Sequence, residues 1–356
     1  MSLSFTARVL AAMAFAVLVV GGHSNADAAG PIVLEHRARV QGQLVSLGMP
    51  DHWANWGGTW ADMEKRYKIK HIDTDMSSAE AIAKFDAEKD NATADIADVG
   101  FEFAPLAKKR DLTLAFKPAT WPEVPLWARD EDGHWVVAYT GTVAFAVNRK
   151  RLGSQFPRSW KALGDGHWRV AVGEVGRASQ ANAAVLAAAV ASGGSETQLA
   201  PGLVIFAKLS REGRLVTANP QPALMERAEA DVFILWDFNA LSYRDKIPNS
   251  SDYEIFIPED GSITSGYATI INRHAPHAAA AMLAREYILS DAGQMNLARG
   301  YARPIRIDRI QMPEDVKAKL LPALQYRNAR PVKAELWVEA VKTLPRQWQR
   351  DVIAAR

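Results

Sequence analysis

The chain contains no cysteine among its 356 residues. Disulfides, thiolate metal sites and a thioether-linked lipid are therefore excluded. It also lacks charge of one sign: 42 Lys and Arg stand against 40 Asp and Glu, a net +2 with the positive residues scattered. That balance gives no footprint for nucleic acid or for a membrane surface. Long apolar runs are missing as well. The longest, Val9 to Val20, falls short of the ~20 residues a comfortable membrane span needs. No G-x-S-x-G elbow, H-E-x-x-H helix, Walker loop or G-x-G-x-x-G turn occurs. Internal repeats and low-complexity tracts are absent too.

What is present begins with export. Arg8, the short apolar run after it, Gly21-Gly22 and the small residues up to Ala28-Ala29 have the plan of a secretory signal peptide over residues 1–28. An uncleaved anchor is the alternative. A periplasmic location is expected, with no disulfide to help, so the core alone must hold the fold. The remaining length suits about two domains.

The stretch Gly133 to Leu152 organises the rest. Val136 to Tyr139 and Val143 to Asn148 are strand-like, and Thr140-Gly141-Thr142 between them reads as a flexible joint linking two lobes. Before it, Gln43 to Gly48, Lys68 to Asp73 and Asp95 to Val99 are expected strands. Trp53, Trp56, Trp60, Met63 and Tyr67 recur at helical spacing behind an Asp51 cap, and Ser77-Ser78-Ala79-Glu80 is a capping-box pattern. This β-α-β-α-β rhythm marks a largely parallel sheet. After the joint, Arg169 to Val172 and Asp231 to Leu235 are expected strands, Ala178 to Ala191 a helix, and Tyr253 to Pro258 with Gly266 to Asn272 the return crossing.

These residues resemble a family: the periplasmic solute-binding proteins of bacterial ABC importers, in the type-2 cluster that includes iron, thiamine, phosphonate and polyamine binders. The likeness is carried by Phe156 to Leu163 with His167 to Ala171, by Gly133 to Leu152, by Tyr287 to Gln294 and by Gly300 to Arg306. The resemblance implies an α/β, two-lobed fold of periplasmic-binding-protein type 2, with two mixed sheets joined by hinge strands. Lobe 1 would comprise residues 40–142 and 264–356, and lobe 2 residues 143–263. It implies a monomer that closes on a small-molecule solute and hands it to an ABC permease in the inner membrane. No cofactor, resident metal or nucleic-acid partner is expected, and no catalysis. An enzyme built on the same two lobes is the rival of another class.

In open α/β sheets, ligands bind off the carboxyl ends of the strands. That rule selects loops holding Asp51, Asp75, Glu174 and Asp237, with Trp53, Trp56 and Trp236. Carboxylates beside aromatic faces suit an organic cation such as a polyamine or amino compound. Packing remains the alternative for Trp53 and Trp56, and capping for Asp51. Ser77 and Ser78 at one helix start and Arg177 at another, with Thr140 and Thr142 between, would instead suit a phosphonate or phosphate ester; ordinary capping is the alternative there. Asn239 and Tyr267 complete the candidate set. Tyr243, Tyr253 and Tyr267 are isolated in sequence, which counts against the paired tyrosines of ferric-ion binders.

Overall fold

The structure, a computed structural model, describes residues 31–354; the signal-peptide expectation lies outside the described residues. Among the described residues twelve strands form the sheet: β1 Gln43–Leu47, β2 Lys70–Thr74, β3 Ile96–Gly100, β4 Thr113–Leu114, β5 Trp135–Asn148, β6 Val170–Ala171, β7 Leu215–Val216, β8 Val232–Trp236, β9 Tyr253–Phe256, β10 Ser262–Asn272, β11 Arg303–Pro304 and β12 Ala329–Pro331. Their main path runs β2-β1-β3-β10-β5-β8-β6-β7. In the first half β1 lies parallel to β2 and β3, and β10 returns antiparallel between β3 and β5. In the second half β6 runs parallel to β7 and β8, and β5 antiparallel to β8 and β9. This is the mixed, two-lobed arrangement expected.

β5 belongs to both halves. Residues 135–142 pair with β10, and residues 143–147 pair with β8, so the partner changes between Thr142 and Val143. All fourteen residues of β5 are buried. Past the switch the strand period of two sorts its side chains: Val143, Phe145 and Val147 enter the main core, Ala144 and Ala146 a second cluster beneath the other face.

One expectation needs correction here. Thr140-Gly141-Thr142 is not a loose joint between two strands but the middle of one continuous strand. Gly141 is required by space. A Cβ there would come within 2.9 Å of ring atoms of both Phe238 and Trp236. Further up, Tyr267 faces Tyr139 whereas Ala268 faces Val137, so Ala138 is the extra residue of a bulge. The Ala138 carbonyl turns out of the ladder and accepts from Gln294 Nε2 at 3.0 Å and the Ile305 amide at 3.2 Å.

The C-terminal helix Ala334–Trp348 lies across the two halves. It packs on the turn Phe101–Phe103 behind β3, while Pro345 abuts Gly176 and Trp348 meets Phe206 at 5.4 Å. Glu196 anchors the approach to this helix, taking both guanidinium nitrogens of Arg330 at 2.7 and 2.9 Å and the Lys333 amide at 2.9 Å.

Candidate functional site

The strands of both halves end at a shared cleft of ≈ 820 Å³. The loops after β1, β2 and β3 form one wall. The segment Gly176–Asn182 and the start of the helix Asp237–Lys246 form the other, and Val341 of the C-terminal helix closes one end.

The aromatic floor follows from local backbone geometry. Ala54 and Asn55 adopt left-handed conformations, φ 47° and 59°, so the helix begins only at Trp56. Trp53 is thereby thrown off the helix and into the cleft. Its indole donates to the Tyr139 hydroxyl at 2.7 Å, and that hydroxyl donates to Asp98 Oδ2 at 2.6 Å. The order is forced, because indole only donates and carboxylate only accepts. Trp53 also meets Phe238 edge-on at 5.3 Å, an aromatic contact between the two walls. The bulge sets Tyr139 against Tyr267 in a stack at 5.3 Å. Tyrosines far apart in sequence are thus close in space, although the Tyr139 hydroxyl is committed to Trp53 and Asp98.

Two acids of the lining are almost wholly enclosed: Asp98 and Glu102, each 4% exposed. Burial pushes the Asp98 carboxyl well above the ordinary range, held back by the Tyr139 hydroxyl. Burial likewise raises Glu102, held back by its own backbone amide and by the Ser179 hydroxyl. Asp98 Oδ1, Glu102 Oε2 and Asn239 Oδ1 have no hydrogen-bond partner. Trp56 Nε1 stands beside Asp98, outside hydrogen-bonding geometry. Unpaired buried acceptors are uncommon and costly, and all three belong to residues of the cleft lining. The lining carries four carboxylates, Asp75, Glu80, Asp98 and Glu102, against the single guanidinium of Arg177. Arg177 itself pairs with Glu174 at 3.6 Å in solvent.

Of the residues picked from sequence, Trp53, Asp75, Ser77, Ser78, Arg177, Asn239 and Tyr267 line the cleft. The others are not brought there. Asp51 is exposed and caps nothing, offering only its carbonyl to the Gly57 amide. Trp56 is core, stacked on Trp60 at 5.5 Å. Thr140 and Thr142 lie within the sheet, the latter bonded to Thr264 at 2.8 Å beside the partner switch of β5. Glu174 is exposed.

Trp236 and Asp237 are each 1% exposed. Asp237 accepts from the Thr142 amide at 2.9 Å and the Tyr326 hydroxyl at 2.6 Å, so it braces the crossing strand instead of facing solute. The Ser77 capping box forms as expected: the Ser77 amide donates to Glu80 and the Glu80 amide to Ser77 Oγ.

Asp98, Glu102, Phe103, Phe238 and Tyr243 also line the cleft and are not among the candidate residues picked from sequence. The carboxyl-end rule should have included the loop after β3. An acid inside the apolar run Ile96 to Phe101 was the available signal, since charges in buried strands need a reason.

A larger, mostly apolar cavity of ≈ 990 Å³ lies outside the cleft, between Pro105–Lys109, Leu126–Trp135 and Pro331–Leu336. Nearby, Asp130, Asp132 and His134 gather their ligand atoms, but Lys108 Nζ already sits 2.7 and 2.8 Å from the two carboxylates, where an ion would lie. The cleft, where strand ends of both halves meet, is the candidate solute site.

Residues 91–333 match the family model described as bacterial extracellular solute-binding protein. The chain belongs to that family. Its fold is that of the periplasmic binding proteins, the solute-carrying components of ABC importers. The AfuA protein of Actinobacillus pleuropneumoniae, with fructose-6-phosphate bound, aligns at TM-score 0.68 and 18% identity over 87% of this chain and 98% of its own. The Atu4243-GABA receptor aligns at 0.69 and 15% over 86% and 96%. The apo ferric ion-binding protein A of Pasteurella haemolytica aligns at 0.67 and 15% over 86% and 97%. No curated protein matches by sequence. Among the described residues no helix is long and apolar enough to cross a membrane.

Proposed function

We propose that this solute-binding protein is a periplasmic receptor, freed by signal-peptide cleavage, that closes on a small organic cation and delivers it to an inner-membrane ABC permease. One observation carries the choice of solute: Asp98 and Glu102 lie buried among Trp53, Tyr139, Tyr267 and Phe238, each with a carboxylate oxygen that no protein group satisfies. An ammonium or guanidinium group supplies the missing donors and the missing positive charge, and the aromatic faces add cation–π attraction. Residues 40–142 and those from 264 onward make one jaw, 143–263 the other, and the crossing strands β5 and β10 are the hinge. The C-terminal helix belongs to the first jaw by sequence and packs on the second as well. The protein acts as a monomer and carries its solute unchanged, so prolonged incubation returns the same molecule; turnover would favour an enzyme.

A phosphate ester or phosphonate is the second reading, favoured by Ser77, Ser78 and Arg177 at two helix starts on the cleft. Titration calorimetry with diamines, amino acids and sugar phosphates separates the two. Asp98→Asn, which keeps shape and can still accept from Tyr139, is expected to weaken a diamine roughly tenfold or more. Unchanged affinity would remove Asp98 from recognition. A sugar phosphate bound by wild type and lost in Arg177→Ala would establish the second reading.

A further inference from the structure

Glu102 lies on the turn Phe101–Phe103 directly after β3, and its carboxylate reaches across the cleft. Oε1 accepts from Ser179 Oγ at 2.9 Å. Ser179 is the first residue of the helix Ser179–Ala191, thirteen residues long. Ala178, which precedes it, gives that helix no side-chain cap. A carboxylate from the opposite wall thus stands at the positive end of the helix dipole, where a bound anion would otherwise sit. Room is made for it: a Cβ on Gly100 would lie 3.1 Å from Glu102 Oε2. That second oxygen is buried and has no partner.

We infer that Glu102 is a two-sided latch and charge filter: through Oε1 it draws the walls together at Ser179, and through its charge it keeps phosphoryl and carboxylate solutes off the helix start. The latch is independent of the solute. The filter deepens the organic-cation reading above, and the loss of diamine binding expected below rests on that reading.

Two substitutions divide the roles. Ser179→Ala removes the hydroxyl and leaves the charge. Glu102→Gln is close in shape, can still accept from Ser179, and removes the charge. Small-angle scattering of the solute-free protein is expected to show a larger radius of gyration for Ser179→Ala than for wild type, with Glu102→Gln near wild type. Identical curves for wild type and Ser179→Ala overturn the latch.

Titration with inorganic phosphate is expected to give no binding to wild type and measurable binding to Glu102→Gln. Titration with 1,4-diaminobutane is expected to show at least a tenfold loss in the same variant. Phosphate absent from both proteins, or bound equally by both, overturns the filter. A wild type that ignores every amine while Glu102→Gln gains phosphate would defeat the cation reading but leave the filter standing, so the two failures are distinguishable.

Discussion

At the scale of the residue, burial decides what each acid does. Asp237 and Asp98 both lie in apolar surroundings, yet one braces the hinge and the other faces the cleft. Burial pushes Asp237 up to about 6, with the Tyr326 hydroxyl and the Thr142 and Phe238 amides holding it back. A carboxyl raised on folding stabilises the fold fully below its unfolded value and loses that contribution as pH rises through about 6. Asp237→Asn removes this dependence. Relative to wild type, the variant should gain about 3 kcal/mol between roughly pH 4 and pH 8 in denaturant unfolding. A gap between the two proteins that stays constant with pH would contradict the assignment. From sequence, a charge after a buried strand was legible as something to be solvated or paired. That its partner would be a tyrosine 89 positions further on was not, because only the packed fold brings Tyr326 to it.

At the scale of the element, local signals served well where local forces dominate. The capping box at Ser77, the alanine-rich helix and the strand runs needed only neighbouring residues. The helix at Trp56 was placed too early because Ala54 and Asn55 take left-handed conformations that tertiary contact stabilises: Asn55 Nδ2 donates to the Asn296 carbonyl at 3.0 Å. That shift separates Trp53 of the cleft from Trp56 of the core, which helical spacing alone made alike. Gly141 carries a similar lesson, its role being clearance for aromatic rings and not freedom of the backbone. Gly141→Ala should lower stability by about 1–3 kcal/mol in thermal unfolding, since Trp236 and Phe238 must move. An unchanged Tm would show that those rings yield freely. The C-terminal helix gives a third test. Trp348, 5% exposed against Phe206, should cost about 3 kcal/mol or more on truncation to alanine, read by chemical denaturation; a loss under about 1 kcal/mol would mean that the helix is not held there.

At the scale of the whole molecule, two halves of sheet share two long strands, and the cleft between them is acidic and aromatic. The two-lobed plan was readable because crossing strands and their flanking motifs are local patterns in the right order. The cleft was half readable: the carboxyl-end rule found its loops, but only the folded chain places Asp98, Glu102, Phe238 and Tyr267 in one cavity. If the solute is a cation, binding is linked to protons in one direction. Burial raises both Asp98 and Glu102, so affinity should fall as pH falls and the carboxylates become neutral. Calorimetry at several pH values checks this, and affinity that rises on acidification would contradict it.

Native mass spectrometry of freshly purified protein, followed by release and identification of any co-purified small molecule, tests the central assignment most directly. The expected result is a single copy of a compound bearing an amine or guanidine, missing from Asp98→Asn. A phosphorylated compound without a basic nitrogen, retained by that variant, would contradict it.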